Sequence, residues 1–143
     1  MADNKQTKKA MSPEMAQQEF YEFLKLHVRK QKSIDEVSED YADSIDALED
    51  GRLQFTDGVP VYTLMHPVKT ENGEILHDKM TLKTRVLPNT ASSLAAGIDL
   101  DKNASKYSLV VISHIIGVAS IRELDLFHKF DYAVLRQLAL LFM

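Results

Sequence analysis

Two sets of side chains in this chain could do chemistry: five histidines and a dense run of carboxylates. The histidines are His27, His66, His77, His114 and His128. No two have the i, i+4 spacing with which a helix presents a pair of imidazoles to zinc. If Asn72-Gly73 makes a two-residue hairpin turn, His77 lies across from Val68, with His66 on the diagonal. A two-histidine metal site is one reading of that placement; a pair of exposed strand histidines is the plainer one. His114 sits in an apolar helix and reads as a hydrogen-bonded core or interface residue rather than a base. The absence of cysteine excludes disulfides and thiolate metal sites. The five glycines are scattered at turns and helix ends, so no phosphate-binding loop forms. No catalytic set can be named from these residues, and the expectation is a non-enzyme with no metal and no cofactor.

The carboxylates are more pointed. Residues 33–50 hold eight Asp/Glu and no Lys/Arg, whereas residues 1–32 hold seven basic and four acidic side chains. Like charges at i, i+4, such as Glu36/Asp40, Glu39/Asp43 and Asp46/Asp50, cost roughly 0.2–0.5 kcal/mol per pair. The plain reading is a solvated helix face. The sharper one is a surface kept for a basic partner, or for the basic end of the first helix on a neighbouring copy. Glu36, Glu39, Asp40, Asp43 and Asp46 are therefore candidate partner-binding residues. The EF-hand spacing and its central glycine are absent. The remaining charges are balanced, and nothing points to nucleic acid.

The elements that must carry these groups are readable in outline. A hydrophobic fraction of 45% and a charged fraction of 27% describe a globular chain. Residues 1–11 read as a disordered polar tail without the apolar segment of a signal peptide. The longest apolar stretch, residues 109–119, is too short for the roughly 20 residues of a membrane span. Residues 12–51 read as a helical arm. Ser12 caps its first helix, Pro13 opens it, and Ala16, Phe20, Phe23, Leu24, His27 and Val28 share one face, with Arg29, Lys30 and Lys32 in the last turn. The second helix starts at Ser33 with a Ser33/Glu36 capping box and stops at Gly51.

Residues 52–143 read as a β-meander plus a helical domain. Alternation over residues 52–86 predicts three antiparallel strands, turned at Asp57-Gly58 (type I′) and at Asn72-Gly73. Pro60 and Pro67 limit the middle strand or place it on an edge. Leu76, Met80, Leu82 and Thr84 form one face of the third strand. A short helix follows over residues 91–96. A longer, nearly all-apolar helix, capped by Asp99 or Asp101, ends at Gly117. Ser120/Glu123 repeats the capping-box spacing, and Asp131 caps a last helix from Tyr132 to Phe142. Leu135, Leu138 and Phe142 face inward on that helix, and the groove beside them is a second candidate contact surface. The fold class is α+β: a small antiparallel meander, a compact helical bundle and an N-terminal helical arm.

The order of motifs then becomes suggestive: Asp57-Gly58, Tyr62-x-Leu64-x-x-Pro67-Val68, Leu82-x-Thr84-Arg85, Ala95-Ala96, Ile112-x-x-Ile115-Ile116-Gly117, Leu124-Asp125 and Asp131-Tyr132-x-x-Leu135. Over residues 52–143 the chain resembles the tail assembly chaperones of long-tailed phages and their prophage relatives; residues 1–51 do not match. The resemblance implies a protein of the host bacterial cytoplasm that coats and solubilises the tape measure protein, recruits tail tube protein and self-associates, without nucleic acid or membrane. The alternatives are a structural component retained in a phage tail or injection device, and an acidic regulator that masks a basic partner.

Overall fold

The computed structural model describes residues 10–143. Residues 1–9, most of the expected tail, lie outside the described residues. Helix α1 (Pro13–Lys25) starts as its caps dictate, with the Ser12 hydroxyl accepting from the Met15 amide and Pro13 at the first position. It buries Ala16, Phe20, Phe23 and Leu24. It ends at Lys25, earlier than expected, so Arg29, Lys30 and Lys32 lie beyond its last turn. Beyond the helix His27 turns to Gly58, its Nε2 lying 3.0 Å from the carbonyl oxygen.

The acidic helix is two helices, α2 (Ile34–Asp40) and α3 (Ala42–Glu49), hinged at Tyr41 (φ −122°, ψ 32°). The Ser33/Glu36 capping box is present. Tyr41 packs its ring 5.0 Å from that of Phe20. The hinge lets Val37 on α2 and Ile45, Ala47 and Leu48 on α3 all reach the core, which one straight helix with so narrow an apolar seam does less well.

The sheet runs β1 (Leu53–Thr56), β2 (Val59–Lys69), β3 (Ile75–Thr81), antiparallel and in that order. Asp57 and Gly58 both have positive φ, 53° and 78°, as a type I′ turn requires. The second turn is longer than two residues, with Lys69 paired to Ile75, yet His77 does lie opposite Val68. β2, which holds both prolines, is the middle strand, but β1 pairs only with its residues 59–62, so at Pro67 it is flanked by β3 alone. Pro60 is tolerated where β3 ends, its carbonyl accepting from the Leu82 amide. Pro67 is tolerated because the β2–β3 ladder is broken there. Between the pairs Thr63↔Lys79 and Val68↔His77, β2 advances five residues while β3 advances two. This wide bulge reverses the inward phase of β3. Met80 and Leu82 are buried as expected, but Leu76 is exposed and His77 half-buried.

A bulge leaves backbone donors without a strand partner, and inside a protein they need another acceptor. That acceptor is Asp131. Its Oδ1 accepts from the Met65 amide at 2.9 Å and its Oδ2 from the His66 amide at 3.0 Å. Oδ1 also accepts from the Tyr62 hydroxyl at 2.6 Å. The same hydroxyl oxygen accepts from Arg52 Nη1 at 2.6 Å, and Arg52 pairs with Asp50 at 2.9 Å. Asp131 is 0% exposed. Burial, and then the bond to Asp131, push the Tyr62 phenol far above its ordinary range, so it remains a donor.

The helical half is α4 (Pro88–Leu94), α5 (Ala104–Ile116), α6 (Ile121–Leu124) and α7 (Lys129–Leu141). α5 starts later than Asp99 or Asp101, because the Asp99 carboxylate is used in a turn on the Asp101 amide. It ends at a left-handed Gly117 (φ 97°). α7 starts before Asp131. Its cap is His128, whose Nδ1 accepts from the Phe130 amide, and this frees Asp131 in the first turn to face the sheet. The buried residues of helices α1–α3 join one core with the sheet and with α5 and α7. Phe23 stacks on Phe55 at 3.9 Å and meets the edge of Phe142 at 6.3 Å.

Replacing Asp131 by Ala leaves one buried and two partly buried donors without their acceptor, and the expected loss is about 3–5 kcal/mol. Tyr62→Phe, which removes one donor to a charged acceptor, loses about 1.5–3 kcal/mol. Urea unfolding midpoints at constant m-value check both; equal midpoints for Asp131→Ala and the parent would refute the assignment.

Candidate functional site

The first turn of α7 is fixed by Asp131, and the groove beside it follows. Leu109 on α5, Ile121 and Leu124 on α6, Phe127 in the following turn and Tyr132 on α7 line an open pocket of about 560 Å³. Arg122, Asp125 and Lys129 form its charged rim. The apolar run of α5 explains the floor. Val111, Ile112, Ile115 and Ile116 are consumed by the core, while Leu109 on the same helix is left over and exposed. Leu126, at the edge of the same region, is also exposed.

α6 has only four residues and cannot hold itself in place. It is tied to the sheet by Glu123. The Glu123 Oε1 accepts from His77 Nε2 at 3.0 Å, and its Oε2 accepts from the Ala119 amide at 2.9 Å. A carboxylate only accepts, so Nε2 carries the proton. The His77 ring stacks on Phe127 at 5.9 Å. The expected capping box is thus half made: Glu123 reaches back, but the Ser120 side chain makes no cap bond. The hydrogen bond from His77, chiefly, holds the Glu123 carboxyl below its usual range.

The histidines are not gathered. His77 faces α6, whereas exposed His66 stacks on His128 at 4.0 Å. Among the described residues no three His, Asp or Glu side chains are grouped to hold a metal ion. His114 is half-buried and held below its ordinary range by burial, and then by Lys83, whose ammonium donates to the His114 carbonyl at 3.0 Å.

Of the residues singled out in the sequence, Glu36, Glu39, Asp40, Asp43 and Asp46 are all exposed on α2 and α3. Asp40 pairs with Lys32 at 2.9 Å, and Asp43 accepts from Gln137 Nε2 at 3.4 Å. Leu135 and Leu138 are wholly buried and Phe142 nearly so, facing inward as the sequence predicts, and beside them Phe142 lines a hollow of about 380 Å³ with Tyr107, Val86 and Leu141. The open apolar surface lies one helix face away, at Leu109, Ile121 and Tyr132. The one signal for it in the sequence is an α5 too apolar on all sides for a helix with a solvent face. Among the described residues no helix is long and apolar enough to cross a membrane. No family model, curated protein or solved structure matches this chain.

Because the folded Glu123 carboxyl is depressed, its contribution is present above the unfolded carboxylate range and is lost as pH falls through its folded value. Glu123→Gln is therefore expected to lower stability at neutral pH by no more than about 1 kcal/mol, since the pair is partly solvated. The difference should shrink on acidification below about pH 4. Thermal melts across that range check the sign; a difference that grows with acid would contradict it.

Proposed function

We propose that this protein is a phage tail assembly chaperone: a non-catalytic protein of the infected bacterium's cytoplasm that covers apolar helical stretches of the tape measure protein and helps bring in tail tube subunits. The observation that carries the reading is the open groove between α5, α6 and α7, apolar in its floor and charged at its rim. Such a groove suits the apolar stripe of an amphipathic helix, read as anchors at i, i+3, i+4 and i+7. The motif order of residues 52–143, which resembles that chaperone family, supplies the identity of the helix. A long tape measure helix repeats its apolar stripe, so many copies of a weak binder act together through avidity.

Co-expression with the tape measure protein of the same phage tests this. The long protein should become soluble with several copies of this chain bound. Leu109→Glu places a charge in the groove at an exposed position, so the chain stays folded while the soluble complex is lost. A tape measure protein that remains insoluble beside the folded parent chain would overturn the proposal.

A further inference from the structure

The hollow beside Phe142 takes its walls from five parts of the chain: the turn after α1, the segment after β3, α4, α5 and the end of α7. Its volume of about 380 Å³ lies within the roughly 300–1,000 Å³ of small-molecule sites. Two walls are held by the fold itself. The Lys83 amide donates to the Ile115 carbonyl at 2.9 Å and its ammonium to the His114 carbonyl at 3.0 Å, which pins the segment after β3 to α5. Phe142 is held by the edges of Phe23 at 6.3 Å and His27 at 5.0 Å, and His27 spends its Nε2 on the Gly58 carbonyl. Val86, Val111 and Leu141 complete an apolar lining. The polar lining is different in kind. Arg85, Thr84 and Tyr107 bring a guanidinium and two hydroxyls, and among the described residues these three side chains make no hydrogen bond or ion pair. Arg85 is the one fixed side-chain charge of the hollow; no Asp or Glu lines it, and exposed Met143 at its rim forms no ion pair.

We infer that this hollow binds a small amphipathic carboxylic acid, with its carboxylate on the Arg85 guanidinium and the Thr84 and Tyr107 hydroxyls and its hydrocarbon body against Val86, Val111 and Phe142. The chemistry of the lining selects this occupant. A carboxylate only accepts hydrogen bonds, and a guanidinium and two hydroxyls can all donate to it. The planar fork of an arginine matches a carboxylate with two parallel bonds. A cationic head would be repelled by Arg85, and a neutral body alone would cover the guanidinium without a countercharge. A phosphate monoester carries about two charges against a single cation, so the singly charged acid is the better match. The site is separate from the groove at Leu109 and does not rest on the chaperone reading.

The test titrates the isotopically labelled full chain at neutral pH with three probes of one chain length: octanoate, octan-1-ol and octylammonium. Octanoate should shift the amide resonances of residues 84, 86, 107 and 142 saturably, and bind about tenfold or more tighter than octylammonium, with the alcohol between them. Arg85→Gln, at an exposed position, should weaken octanoate by about fivefold or more and leave the alcohol unchanged. Tyr107→Phe, which keeps the ring and removes the hydroxyl, should also weaken octanoate and spare the alcohol. Equal binding of the three probes would overturn the site, as would a preference for octanoate that survives Arg85→Gln. So would shifts confined to residues 109, 121, 127 and 132, or the absence of saturable shifts up to about 10 mM octanoate, where a ligand of about ten non-hydrogen atoms binds with ordinary efficiency.

Discussion

The Asp131 carboxylate is the constraint on which the rest depends. Pro67 has no amide to give to a ladder, and where it stands β2 departs from its pairing with β3 in a bulge. The bulge leaves two partly buried backbone donors without a strand partner. Asp131 accepts both, together with the Tyr62 hydroxyl, and so converts a defect in the sheet into the joint that fixes α7. A carboxylate in the first turn of a helix is also favoured by the helix dipole. The same joint decides what α7 offers outward: Lys129 and Tyr132 to the groove shared with α5 and α6, Phe130 and Ala133 to the acidic side.

Around that joint the core is continuous from one end of the described chain to the other. Phe23 of α1 lies between Phe55 of β1 and Phe142 beyond α7. Ser44 of α3 donates its backbone amide and its hydroxyl to the Gln137 side chain of α7. The apolar C-terminal residues are therefore anchored by helices at the other end of the sequence. The polar face of α1 and the charged faces of α2 and α3 remain as the outward surface of what reads, in the sequence, as an appended arm.

Local signals were legible wherever the physics is local. Ser12-Pro13, Ser33 with Glu36, Asp57-Gly58 and Gly117 all mark their caps and turns, because each satisfies backbone groups within a few residues. The antiparallel order of the meander follows from the same turn chemistry. What was not legible is long-range. Asp131 reads as an ordinary helix cap, since its partners, Tyr62 and the amides of Met65 and His66, are more than sixty residues away. The hinge at Tyr41 depends on the Phe20 ring, which an isolated helical periodicity does not contain. The partition of apolar residues was half legible. Leu135 and Leu138 are apolar and periodic and so could be core or contact, and only the packing of α1, α3 and the sheet against α7 decides for core. The same packing leaves Leu109 and Phe130 outside.

Native-state hydrogen exchange at the Met65 and His66 amides tests the central claim most directly. Bonded to a buried carboxylate that ties the sheet to α7, both should exchange only on the timescale of global unfolding, with the same free energy as the core amides of α5. Exchange at the rate of an exposed loop, faster than that of their neighbours Tyr62 and Val68, would mean that Asp131 does not hold the bulge, and the positioning of both surfaces of α7 would need another cause.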